Sequence, residues 1–161
     1  MPPWSIVAAE APELTSAVRS RFDAMGLGFL ATLRRNGFPR LSGIEPLFTG
    51  DEVWLGMMTH SRKGADLRHD PRLCLHSASA DKDVAEGDAK LTGRGVLVEE
   101  PDDLARFRGA FAAATGRDVP PGPMDLFRVD VTEVSFLRPA GDHLLIEWWT
   151  EGGKEQRVKR Y

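Results

Sequence analysis

Cysteine is nearly absent: Cys74 is the only one in 161 residues. That excludes a disulfide framework and a CxxC zinc or redox site within one chain, and it agrees with a reducing compartment. Long apolar runs are missing as well, and no stretch approaches the ~18 residues of a membrane span. The start, Met1-Pro2-Pro3-Trp4, has neither the basic residues nor the apolar run of a signal peptide. A cytoplasmic protein with no membrane partner is therefore expected. Basic charge is not in excess: 21 Lys and Arg against 24 Asp and Glu leave a formal charge of −3, which argues against a dedicated nucleic-acid binder. His60, His69, His76 and His143 show no HxxxH or HExxH spacing, so no metal site is expected. Asp81, Asp83, Glu86 and Asp88 lack the D-x-D-x-D-G order of a calcium loop and read as a solvated turn. Gly37 and Ser42 do not form a nucleophile elbow, so a hydrolase reading has no anchor. Cys74 has no partner base in the sequence and reads as inert.

What is present suits one folded unit. A chain of this length with 42% hydrophobic and 28% charged residues can close a core without metal or disulfide staples, and residues 1–161 are expected to form a single domain. Pro12 and Glu13 open a helical pattern in which Leu14, Val18, Phe22 and Met25 recur at helical spacing, and Gly26 is a natural stop. Beyond it, Leu27–Arg34 and Phe38–Phe48 are apolar-rich runs joined by Arg35-Asn36-Gly37, a hairpin signal because Asn and Gly tolerate positive φ. Pro39 and Pro46 place the second run at an edge or in a bulge. Val53–Met58 follows as a third strand, and Ser61–Asp70 as a short helix closed by Pro71. Strands are expected again at Arg72–Ser79 and Ala89–Val98, with a charged loop Ala80–Gly87 between them and a bulge near Gly93 and Gly95.

Pro101 starts another helix, striped by Leu104, Phe107, Phe111 and Ala114, with Asp102 and Asp103 serving its dipole. Leu126–Leu137 and Leu144–Thr150 follow as strands, and a Gly152-Gly153 turn leads into Gln156–Tyr161. Consecutive hairpins argue for an antiparallel sheet, and a nearly closed barrel hides its edges. The expected class is α+β, an antiparallel split β-barrel of about six or seven strands with two to three short helices.

Chemistry concentrates in Thr59-His60-Ser61-Arg62-Lys63, directly after a strand and at a helix start. Unpaired N–H groups and the positive end of the helix dipole meet hydroxyls, a guanidinium and an ammonium there, an ensemble suited to a dianionic phosphate. A capped helix with solvated basic residues is the competing explanation.

The order Gly37-Phe38-Pro39-Arg40, then Ser61-Arg62-Lys63, then Leu67-Arg68-His69-Asp70-Pro71-Arg72 resembles the pyridoxamine 5′-phosphate oxidase-like family, the FMN-binding split barrels. The likeness runs from about Arg21 to Val98, with an echo near the C-terminus. It implies that Arg62 and Lys63 hold the phosphate of FMN, with Ser61 or Thr59 adding a hydroxyl. It also implies that Arg40, Leu41, Ser42, Gly43 and Ile44 line the isoalloxazine ring, flanked by Gly56, Met57 and Met58. Gly43 and Gly56 would permit close backbone approach, and core filling is the competing role for one of the two methionines.

A homodimer with the cofactor between subunits is implied too, with Trp148, Trp149 and Phe136 offering aromatic area or packing inside their own barrel. Alternation puts Trp148 and Trp149 on opposite faces. Glu147-Trp148-Trp149 echoes the E-F-W segment of the vitamin enzyme, which sets Trp149 among the candidate cofactor residues. The R-x-H substrate motif is not matched, since Arg157-Val158-Lys159 has lysine in place of histidine and lies two residues further on. Pyridoxamine phosphate is therefore not the expected substrate.

The resemblance implies an FMN-dependent oxidoreductase acting on an unidentified small molecule, with the redox chemistry carried by the ring and no side chain named as catalytic. One alternative is a reductase using the deazaflavin coenzyme F-420, for which Lys90 or Arg94 could meet the longer anionic tail. Another is a non-enzymatic flavin or haem carrier or sensor on the same barrel, and the blandest is a structural dimer with a vestigial site.

Overall fold

The computed structural model describes residues 2–79 and 81–161. Met1, which opens the N-terminal reading, and Ala80, where the charged loop begins, lie outside the described residues. In chain order the elements are α1 (Trp4–Glu10), α2 (Pro12–Met25), β1 (Gly28–Leu33), β2 (Pro39–Ile44), β3 (Leu47–Phe48), β4 (Val53–Met58) and α3 (Arg62–His69). They continue with β5 (Arg72–Ser77), β6 (Asp88–Leu97), α4 (Pro101–Thr115), β7 (Met124–Ala140), β8 (His143–Thr150) and β9 (Gln156–Arg160). Every strand pairing is antiparallel, as the hairpin pattern predicts. The fold is α+β, an open antiparallel sheet of the split-barrel type.

Nine strands and four helices among the described residues exceed the expected count. Pro46 divides the expected second strand into β2 and β3, the last segment pairs with β8 as β9, and α1 is an additional helix. The sheet runs β2-β1-β5-β6-β7-β4-β3, with β8 and β9 continuing from β7. The long β7 produces the split: along one edge it pairs with β6, while its other edge serves β4 over Met124–Arg128 and β8 over Glu133–Ala140. The two ends of the path, β2 and β3, are consecutive in the chain, so Glu45-Pro46 links them covalently where no ladder does. The β6–β7 register shifts between Thr92 and Gly93. A Cβ on Gly93 would lie 2.3 Å from the Asp130 carbonyl, so only glycine fits the bulge.

Local chemistry explains the elements around the site. In the β1–β2 hairpin Gly37 takes φ 82°, its N–H donates to the Arg34 carbonyl, and the Phe38 N–H donates to Asn36 Oδ1. The main core gathers the buried faces of α1, α2 and the strands: Trp4 packs edge-on to Phe48, and Phe22 stacks on the same ring. A smaller cluster of Trp54, Val98, Phe107 and Leu126 lies under α4, whose stripe ends before Ala114, an exposed residue. β4 divides its side chains between the two clusters, Val53, Leu55 and Met57 to the main core and Trp54 to the smaller one. None of the described helices is long and apolar enough to cross a membrane.

Candidate functional site

The candidate site lies along α3, which bridges the seam between β2 and the β4–β7 pair. The chain leaves β4 at Met58 and turns through His60 in the left-handed region, φ 63°. Ser61 then caps α3, its Oγ accepting the Gly64 N–H at 3.2 Å. On the β2 side, Lys63 Nζ donates to the Gly43 carbonyl at 2.9 Å, and Arg40 Nε donates to Asp66 Oδ2 at 2.6 Å. On the other side, Arg68 Nη2 donates to Asp125 Oδ1 of β7 at 2.8 Å. Gly64 permits the approach: a Cβ there would lie 3.0 Å from both Asp125 Oδ2 and Ser61 Oγ and 3.3 Å from Met57 Sδ. The helix ends at Asp70, whose carboxylate accepts from the Arg72 guanidinium and backbone N–H and is thereby held at about 2. The D-P-R segment thus turns the chain into β5.

Of the candidate residues, the structure brings Gly43, Ser61, Arg62 and Lys63 around the first turn of α3 and Arg40 to Asp66 just beyond it, with Met58 and Thr59 leading into the helix. Met58 is 80% exposed. Arg62 is exposed and makes no hydrogen bond to another described residue, so its guanidinium is available. A Cβ on Gly43 would meet only Leu27 Cδ1, at 4.0 Å, so the strand backbone there is open to a flat ligand. Ser42 is half-buried on the Arg40 face of β2. A cleft of about 480 Å³ lies on the far side of α3, between Thr59, His60, Ala65, Arg68, Pro123 and Asp125.

The side chains of the remaining candidates go elsewhere, and strand phase is the reason. Arg40 and Ile44 share one face of β2 while Leu41 occupies the other, where it is 69% exposed. Ile44 and Met57 are buried in the main core. The space beside Gly56 is filled from α4 and β7, since a Cβ would lie 3.0 Å from Met124 Cε and 3.5 Å from Phe107 Cζ. Its lack of a side chain makes room for Met124 and Phe107. Trp149 is 1% exposed within the core, and its Nε1–H donates to Glu10 Oε2 of α1 at 2.9 Å. Phe136 is buried in that core as well, so these aromatics pack inside their own barrel, while Trp148 is half-buried.

The residue that sequence reasoning missed is Asp66. Its Oδ2 accepts both Arg40 Nε–H and the Thr32 hydroxyl, the latter at 2.8 Å. Burial pushes its carboxyl up, but the hydrogen bonds from Arg40 and Thr32 outweigh this and hold it below the usual carboxylate value. Its position three residues after Lys63, on the same helix face, was the available signal. Among the described residues, no group of three or more His, Cys, Asp or Glu could hold a metal ion.

The sequence model of the pyridoxamine 5′-phosphate oxidase family matches residues 14–138. No curated protein sequence matches the chain. Among solved structures, Campylobacter jejuni ChuZ is similar with a TM-score of 0.72 at 13% identity, over 91% of this chain and 63% of that one. A pyridoxamine 5′-phosphate oxidase-related, FMN binding protein of Nostoc punctiforme gives a TM-score of 0.64 at 14% identity, over 94% of this chain and 96% of that one. A heme binding protein of Mycobacterium smegmatis gives a TM-score of 0.61 at 27% identity, over 85% of this chain and 58% of that one.

Proposed function

The chain belongs to the pyridoxamine 5′-phosphate oxidase family, and on that premise we propose that it is an FMN-dependent oxidoreductase acting on a small organic molecule. One observation carries the reading: a capped helix N-terminus, the Arg62 guanidinium, the Lys63 ammonium and Arg40 meet at a seam beside the open backbone of Gly43. That set fits a phosphate ester joined to a flat ring system. Ser61, Arg62 and Lys63 hold the phosphate, and β2 lines the ring with its backbone at Gly43. Bound FMN would supply two-electron chemistry between the small molecule and either oxygen or a nicotinamide. The chain's own groups orient and bind, and Met58 helps to keep water from the ring. The same reading makes the active form a cytoplasmic homodimer. Phe29 and Leu41 expose apolar surface on the face of β1 and β2 that carries Gly43, and a second copy is the occupant that would close the groove there.

The test is the absorbance of untagged protein from about 300 to 500 nm, followed by titrations with FMN, F-420 and haem, and light scattering for the dimer. Flavin bands or ~micromolar FMN affinity, lost in the double variant Arg62→Ala/Lys63→Ala, is the expected result. Tight F-420 binding with weak FMN binding would move the chain to the deazaflavin alternative. The similarity to the M. smegmatis heme binding protein favours a haem carrier as the second reading. A Soret band on haem titration without flavin binding would establish it.

A further inference from the structure

We propose that Asp66 is a positioning residue that aims Arg40 at the phosphate end of the site, an inference that rests on the FMN reading above. Asp66 sits one helical turn from Lys63 on the face of α3 that meets β2. Its carboxylate contacts Arg40 through Nε alone, at 2.6 Å. An arginine paired bidentately to a carboxylate commits at least one terminal nitrogen, as Arg72 does with Asp70. Here both terminal nitrogens make no hydrogen bond to another described residue, while the plane of the guanidinium is pinned from behind.

Thr32, the register partner of Arg40 across the hairpin, holds the same carboxylate oxygen with its hydroxyl, so Asp66 is itself fixed by β1. The carboxylate also offsets positive charge, since Arg40 and Arg34 both act on it and Lys63 lies one helical turn away. Without Asp66, the Arg40 side chain gains rotamers and the third cation of the cradle is lost. Asp66 does not compete for the phosphate, because Oδ2 is shielded by its two donors and the residue is buried.

The experiment compares FMN with riboflavin, which lacks the phosphate, by quenching of flavin fluorescence. The proteins are the unaltered chain, Asp66→Asn, Asp66→Ala, Arg40→Ala, Arg40→Ala/Asp66→Ala and Arg62→Ala/Lys63→Ala. Asp66→Ala should weaken FMN by about tenfold and Asp66→Asn by about threefold, with riboflavin affinity unchanged, as expected for one mis-aimed charged contact. In the Arg40→Ala background, removing Asp66 should cause no further loss. Equal weakening in that background, or equal weakening of riboflavin, would show that Asp66 only staples α3 to the sheet and would overturn the proposal.

FMN binding by Asp66→Ala and Asp66→Asn as tight as that of the unaltered chain, while Arg62→Ala/Lys63→Ala loses it, would overturn the proposal and leave the FMN reading standing. No FMN binding by the unaltered chain would overturn both. Circular dichroism checks each variant. If Asp66→Ala does not fold, Asp66→Asn with Arg40→Ala/Asp66→Asn carries the same comparison.

Discussion

Two buried carboxylates flank β4, and they are opposite in electrostatic character. Asp66 and Glu52 are each 6% exposed. Asp66 receives two direct hydrogen bonds on one oxygen and is held below its usual value despite burial. Glu52, just before β4, is pushed up by burial, which nearby Arg128 and Arg106 offset only in part. Arg106 Nη2 stands 3.6 Å from Glu52 Oε1, and among the described residues Glu52 Oε2 has no hydrogen-bond partner and Arg128 Nε is likewise buried without one. Equal exposure therefore does not set the direction of the shift. A donor hydrogen atom on the oxygen outweighs desolvation, whereas a cation at a distance does not. The satisfied carboxylate is the one that faces the candidate site, and the unsatisfied one lies under α4.

The comparison breaks most visibly at Asp66. Asp66→Ala should lower stability at neutral pH by about 2–3 kcal/mol, below the ~3–5 kcal/mol of a fully buried pair because Arg40 retains 18% side-chain exposure and can rehydrate. Urea denaturation measures it, and a change under ~0.5 kcal/mol would mean that the Arg40 and Thr32 bonds contribute nothing net. The pH dependence has a definite sign. A carboxyl whose folded value lies below its unfolded value stabilises fully above the unfolded value of 3.8. That stabilisation fades as pH falls through the lower folded value. The gap between the unaltered chain and Asp66→Asn should be flat down to about pH 4.5 and then close.

Local signals in the sequence foresaw much of this architecture, and long-range ones did not. The α2 stop at Gly26, the hairpin at Asn36-Gly37 and the Ser61 cap of α3 depend on a few adjacent residues, and all form as expected. The helix entry at the candidate site was legible for the same reason, since Ser61, Arg62 and Lys63 are contiguous. α1 was not: seven residues after two prolines are too short to be helical by propensity, and burial of Trp4 and Val7 against the rest of the fold holds them. Strand phase was the other obstacle. Whether Gly56 or Met57 faces a ligand depends on where α4 packs, and whether Trp149 faces outward depends on Glu10, which is 139 residues away in sequence. Asp66 and Arg40, 26 residues apart, likewise become partners only in the folded chain.

Glu52 sharpens the comparison with a smaller effect of opposite sign. A folded value raised above the unfolded 4.5 means that ionisation disfavours the native state: the group's contribution is full below 4.5 and is lost as pH rises through the folded value. Glu52→Gln, neutral at every pH, should match or exceed the unaltered chain by up to about 1 kcal/mol near pH 7 and gain nothing near pH 4. Thermal melts at the two pH values measure it. A loss greater than ~1 kcal/mol at pH 7 would mean that Arg106 and Arg128 stabilise the carboxylate more than burial penalises it.

The smallest effect concerns Arg106 itself. Its guanidinium lies 5.3 Å from the Trp54 ring centroid, 3.2 Å from Asp103 and 3.6 Å from Glu52, with its side chain 48% exposed. Arg106→Ala should cost about 0.5–1 kcal/mol, most of it from the Trp54 and Asp103 contacts, because half-exposed ion pairs are screened. The coupling of Arg106 to Glu52, from a double-mutant cycle with Glu52→Gln, should then fall below ~0.5 kcal/mol. The same cycle on Arg40 and Asp66 should exceed it severalfold. If the two couplings came out equal, proximity of charge would suffice and the directness of the hydrogen bond would not be what separates the two carboxylates.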